Sequence, residues 1–102
     1  MSVYQRLEYE SKIAPEDDIE TLFGQCVEYV NELDYNPGTV ALLNLYGMFK
    51  QATVGNVTEE RPGPFSIKAR KKYDAWETQK GKSRQQAMHE YVIFVSENMA
   101  SD

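Results

Sequence analysis

Tyr46, Phe49 and Lys50 stand three and four residues apart, so on a helix they share one face. Two aromatic rings and an ammonium on one surface suit a ligand that is part flat ring and part phosphate. Lys68 and Lys72, four residues apart, form a second helical pair of cations, with Ala69, Tyr73 and Trp76 recurring beside them. Reactive chemistry is missing from the same inventory. One histidine, His89, and one cysteine, Cys26, make no metal-ligand spacing and no nucleophile–base pair. There is no G-x-x-x-x-G-K-[ST] phosphate loop, no G-x-G-x-x-G turn, and no motif that marks paired carboxylates. These are the residues of a binder rather than an enzyme; no catalytic residue, metal or cofactor is implied.

The chain's 102 residues fit one domain with a modest core. A single cysteine forms no intrachain disulfide, which fits a reducing compartment. No apolar run reaches membrane-spanning length, and the first ten residues, MSVYQRLEYE, lack the apolar stretch of a signal peptide. A cytoplasmic location is expected. The net charge is −5 but unevenly placed: residues 1–34 hold nine acidic and two basic side chains, and residues 61–84 hold eight basic and two acidic ones. An acidic molecule with one basic face does not suit general nucleic-acid binding, but can steer a small polyanion to one place. The plainer alternative is a basic run that is only a solvated helix face.

Four amphipathic segments must position these groups. Residues 1–16 show no clean period and read as an extension ahead of a domain over 17–102. Pro15 to Asp18 is a helix start, and Ile19, Leu22, Phe23, Cys26, Val27, Val30 and Leu33 trace an apolar stripe, predicting a helix over 17–33 with Cys26 as a core residue. Asn36-Pro37-Gly38 is a turn, after which Thr39 is expected to cap a helix running to Ala52 or Thr53. Leu42, Leu43, Leu45, Tyr46 and Phe49 make that helix apolar on more than one side. A long loop over 55–66 follows, with Glu59-Glu60-Arg61 expected to supply an ion pair that fastens it. Ser66 is expected to cap a third helix, 67–79, ended by Gly81. Ser83 and Gln86 form a capping-box pattern for a fourth, buried along Ala87, Met88, Tyr91, Val92, Val95 and Met99 to about Ala100. Consecutive residues point about 100° apart, so at least one of Ile93 and Phe94 must face outward, where Val3, Tyr4, Leu7 and Tyr9 are candidate covers. Four helices and no convincing strand give an all-α, four-helix bundle.

The string from Tyr46 to Gly63, YGMFKQATVGNVTEERPG, resembles the signature of the acyl-CoA-binding protein family. The likeness continues through KKYDAWETQKG (Lys71 to Gly81) and AMHEY (Ala87 to Tyr91), and covers Asp17 to Ala100. It implies an up-down-down-up order of helices, which periodicity cannot supply. It also implies roles. Tyr46 and Lys50 match the tyrosine and lysine that hold the nucleotide end of the ligand, and Lys72 the lysine that pairs with the ribose 3′-phosphate. Tyr91 matches a tyrosine at the same end, and Lys68 a further basic contact. Val27, Leu42 and Leu43 match positions near the acyl groove. Three positions depart from the pattern: Phe49 stands where many members have tyrosine, Asn31 where some have lysine, and Tyr73 where the first of two tryptophans is usual.

The implied function is non-catalytic binding, buffering and intracellular transport of long-chain acyl-CoA by a monomer that delivers its ligand to acyl-CoA-using enzymes. The rival reading, from the residues alone, is a helical protein-interaction module whose basic face meets an acidic partner.

Overall fold

A computed structural model of the chain describes residues 18–99. Four helices account for most of them: α1, Ile19–Asn31; α2, Thr39–Thr53; α3, Ile67–Glu77; and α4, Arg84–Asn98. No strand occurs among the described residues. The expected helix start at Pro15, the expected end at Ala100, and the proposed cover by residues 3–9 lie outside them.

The apolar stripes become the core. Ile19, Leu22, Phe23 and Cys26 of α1 are buried, with Val27, Val30 and Leu33 packed against them. Every residue of the α4 stripe, from Ala87 to Met99, is buried. Ile93 points outward while Phe94 packs against the core, as their 100° offset requires.

Contacts between helices fix their directions. The Phe23 ring meets the Tyr91 ring, and the Tyr29 hydroxyl donates to the Met99 carbonyl at 2.8 Å. Early α1 thus meets early α4, and late meets late, so α1 and α4 are parallel. Tyr46 meets Lys72 and Lys50 meets Trp76, so α2 and α3 are parallel as well. At the end of α2 the Ala52 carbonyl accepts from Arg84 Nε at 3.0 Å, which sets the C-terminus of α2 beside the N-terminus of α4 and makes that pair antiparallel. The order is up-down-down-up, and the connection from Val54 to Ser66 exists to return the chain so that α3 can run alongside α2.

Side chains fasten that crossing. Gln51 is buried, and its Nε2 donates to Asn56 Oδ1 (2.9 Å) and to the Lys82 carbonyl (2.7 Å). Asn56 Oδ1 also accepts from the Gly81 amide, where φ is +95°. Trp76 Nε1–H donates to the Gly55 carbonyl at 2.7 Å. The ion pair expected within Glu59-Glu60-Arg61 forms elsewhere: Arg61 reaches Asp74 of α3 through two bonds of 2.9 and 2.8 Å. A fork of two parallel N–H donors fits a carboxylate on a rigid helix better than a neighbour in the same loop.

The helix ends differ in detail. Thr39 is the first residue of α2, and the cap position belongs to Gly38 with φ of +102°, a conformation L side chains avoid. Ser66 holds the cap position of α3, but its hydroxyl makes no cap bond. Ser83 does cap α4, accepting from the Gln86 amide at 3.0 Å; the Gln86 side chain turns instead to Glu90. Beyond α1 and α3 the chain tightens into three-residue turns, so those helices stop two residues short of the periodic pattern.

The Arg61 hydrogen bonds hold the Asp74 carboxyl below the usual range. A depressed folded-state pKa gives stability that is present above the unfolded value and lost as pH falls through the folded one. Asp74→Asn is therefore expected to lower Tm at neutral pH and to lie closer to the wild type at a pH of about 3, under the normal aspartate value. Melts at both pH values check this; an equal gap at both would mean that charge plays no part.

Candidate ligand cleft

The parallel α2–α3 pair is pinched in the middle and open at its start. The pinch is Gly47, which is buried. A Cβ placed there would fall inside van der Waals contact of the Ala75 carbonyl oxygen and 2.8 Å from its carbon. Toward the helix starts the pair borders a cleft of about 310 Å³ lined by Thr39, Leu42, Leu43, Tyr46, Lys68, Lys71 and Lys72.

Each wall follows from helical spacing. Leu42, Leu43 and Tyr46 line the α2 side, because positions 42, 43 and 46 fall within one face. Lys68, Lys71 and Lys72 line the α3 side for the same reason. The Lys72 ammonium sits 5.1 Å from the centre of the Tyr46 ring, and the Lys50 ammonium 4.8 Å from the Trp76 ring one turn further along. Both cations are held over ring faces, a contact of about 0.5–1 kcal/mol at exposed sites. No carboxylate pairs with Lys68, Lys71 or Lys72 among the described residues. The ion pairs found there are Arg61–Asp74 and Lys82–Glu90, and Arg84 is bonded to the α2 carboxyl end. Of the eight basic side chains in the basic segment, Arg61, Lys82 and Arg84 hold the fold, and Lys68, Lys71 and Lys72 face the cleft.

Five of the predicted site residues meet in this cleft: Leu42, Leu43, Tyr46, Lys68 and Lys72. Lys50 adjoins it across the Trp76 ring. The other three stand apart from it. Phe49 stacks on Phe23 at 6.1 Å, and Phe23 meets Tyr91 edge-on at 5.0 Å, forming a chain of rings through α2, α1 and α4. Tyr91 is 3% exposed, and burial, with the nearby Cys26 thiol, pushes its phenol up to about 12. It stays a neutral donor across ordinary pH. Val27, one turn beyond Phe23, is half-buried against the core rather than in the cleft.

Lys71 and Thr39 line the cleft without having been singled out. Lys71 lies three residues from Lys68, so the same-face rule that paired Lys68 with Lys72 also reaches it. A larger depression of about 430 Å³ lies at the opposite end, between Ile19, Glu20, Arg84, Gln85 and Met88. Its described lining has no aromatic face and no lysine, and the smaller cleft brings both together.

Comparison with known proteins agrees with this fold. The model of the family described as acyl CoA binding protein matches residues 20–95. Acyl-CoA-binding protein 2 of Saccharomyces pastorianus is 46% identical over 82 residues, 80% of this chain and 94% of the yeast protein. The acyl-CoA-binding protein of Saccharomyces cerevisiae is 45% identical over the same shares. The crystal structure of Oryza sativa acyl-CoA-binding protein 2 superposes with a TM-score of 0.75 at 40% identity, covering 79% of this chain and 90% of that one.

Proposed function

The chain belongs to the acyl-CoA-binding protein family, and from that premise we propose that it binds long-chain fatty acyl-CoA, buffers it, and carries it to the enzymes that use it. We take residues 17–102 as the binding domain, acting as a monomer in the cytoplasm without changing its ligand chemically. The observation that carries the reading is the α2–α3 cleft, where an apolar wall, a ring and lysines with no acidic partner among the described residues converge. Acyl-CoA is a purine, a cluster of phosphates and a long alkyl chain, and it needs all three.

In this reading Tyr46 and Lys50 hold the nucleotide end, Lys72 takes the 3′-phosphate, and Lys68 adds a second cation. Leu42 and Leu43 begin the acyl groove, and Val27, packed against the core outside the cleft, backs it from α1. Tyr91 contributes its neutral hydroxyl from a ring locked in the core. An acidic protein as sole partner would leave the Tyr46 ring and the leucine wall unused.

Calorimetry across an acyl-CoA length series tests the proposal. Each buried methylene contributes about 0.8 kcal/mol, so affinity should rise about fourfold per carbon until the groove is full. CoA alone and fatty acid alone should bind far more weakly; equal affinity for CoA and acyl-CoA would overturn the reading. Phe49→Tyr is expected to keep or improve binding, since the ring retains its stack on Phe23 and gains a hydroxyl. If that hydroxyl is buried unpaired it costs about 1–3 kcal/mol, and a clear loss of affinity would show a groove shaped around phenylalanine.

A further inference from the structure

The helix directions place Tyr35, Val40, Leu42, Phe65 and Ile67 at one end of the bundle, the end where α2 and α3 begin. All five are exposed, and among the described residues only Val54 and Ile93 are comparable elsewhere. Val40 is 76% exposed, Ile67 66% and Phe65 99%. Phe65 is held out between Pro64 and Ser66 on a turn closed by the Ser66 amide on the Gly63 carbonyl at 3.0 Å. Water-facing apolar groups are ordinary one at a time, but a cluster at one end marks a contact surface.

Two observations say what it contacts. Leu42 belongs both to this end and to the cleft wall, so the apolar surface continues into the cleft mouth. Lys68 and Lys71 follow Ile67 by one and four residues, which sets cations beside the apolar tip, with no paired carboxylate among the described residues. The acids at this end, among them Glu32, Asp34 and Glu97, belong to the α1–α2 connection and the end of α4, and not to α3. An aromatic ring and a branched aliphatic at the tip, with lysines behind them, is the chemistry of an interfacial lipid contact.

We propose that this end docks on an anionic lipid bilayer, with Phe65 and Ile67 entering the interface and Lys68 and Lys71 lying on the headgroups. The cleft mouth then opens onto the surface. The rest of the protein is acidic and is repelled by the same surface, so one orientation is favoured. The purpose of docking, uptake or release of acyl-CoA at the bilayer, rests on the function proposed above; the docking itself needs no ligand.

The test is co-flotation of the full chain, without ligand, with phosphatidylcholine vesicles that contain or lack phosphatidylserine. Wild type should float with the phosphatidylserine vesicles and release in high salt. The Phe65→Ser/Ile67→Ser double variant should lose vesicle affinity by at least about tenfold, since two apolar side chains no longer leave water. Its affinity for acyl-CoA in solution should stay within about twofold, because neither residue lines the cleft. Wild type that stays in the aqueous phase, or a variant that floats equally well, would overturn the docking. So would a wild-type dimer that the double variant abolishes without any flotation. Solution titration separates the two readings: flotation without acyl-CoA binding defeats the carrier function alone, and acyl-CoA binding without flotation defeats the docking alone.

Discussion

Gly47→Ala should lower stability by about 3 kcal/mol, the upper end of the usual cost of overpacking. The added methyl meets the Ala75 carbonyl group, which is backbone and cannot rotate away as a side chain would. The helices must part, and the separation reaches the two cation–ring contacts on either side of the pinch, Lys72 over Tyr46 and Lys50 over Trp76. For a domain of this size the expected fall in Tm is on the order of 15 °C, with acyl-CoA affinity falling as well. Gly24→Ala is the control. It makes the same chemical change within a helix, but nothing lies within 4 Å of the new methyl. It should stabilise by about 0.5–1 kcal/mol, as alanine does over glycine in an open helix position. Melting both variants decides the matter. If Gly47→Ala is as stable as Gly24→Ala, the backbones of α2 and α3 do not touch.

Lys72→Ala should weaken acyl-CoA binding ten- to a hundredfold and leave the fold nearly intact. The side chain is exposed, and its partner among the described residues is one ring face. A charge-assisted hydrogen bond to phosphate is worth about 1.5–3 kcal/mol, which sets the range in affinity. The specific claim is that Lys72 reads the 3′-phosphate. Wild type should therefore prefer acyl-CoA over the dephospho form, and the variant should discriminate less. Titrating both proteins with both ligands measures this; unchanged discrimination would reassign the lysine.

The helices and the core were legible because they rest on local periodicity. The α4 stripe needed only the recurrence of small and apolar residues from Ala87 to Met99. The aromatic–lysine face of α2 and the lysine pair of α3 were legible on the same ground. What escaped depends on the approach of distant segments. Nothing local distinguishes Gly47, where backbones meet, from Gly24, which faces open space. Gln51 reads as a polar helix residue and is in fact buried by its bonds to Asn56 and Lys82. Arg61 has two nearer acids in sequence and pairs with Asp74 across the crossing. Thr39 has cap chemistry, but the backbone at Gly38 takes a form only glycine enters easily.

The parallel pairing of α1 with α4 has a consequence during synthesis. The buried face of α1 packs on the last helix made, and the Tyr29–Met99 bond spans 70 residues. A ribosome adds about 5–20 residues per second, so that face waits roughly 4 to 14 seconds for its partner. Until then Phe23 and Cys26, sealed in the finished protein, are open to chaperones and to thiol reagents. Stalled nascent chains ending before α4 should therefore label at Cys26 as readily as an unfolded peptide, and the reaction should shut off once Met99 has cleared the exit tunnel.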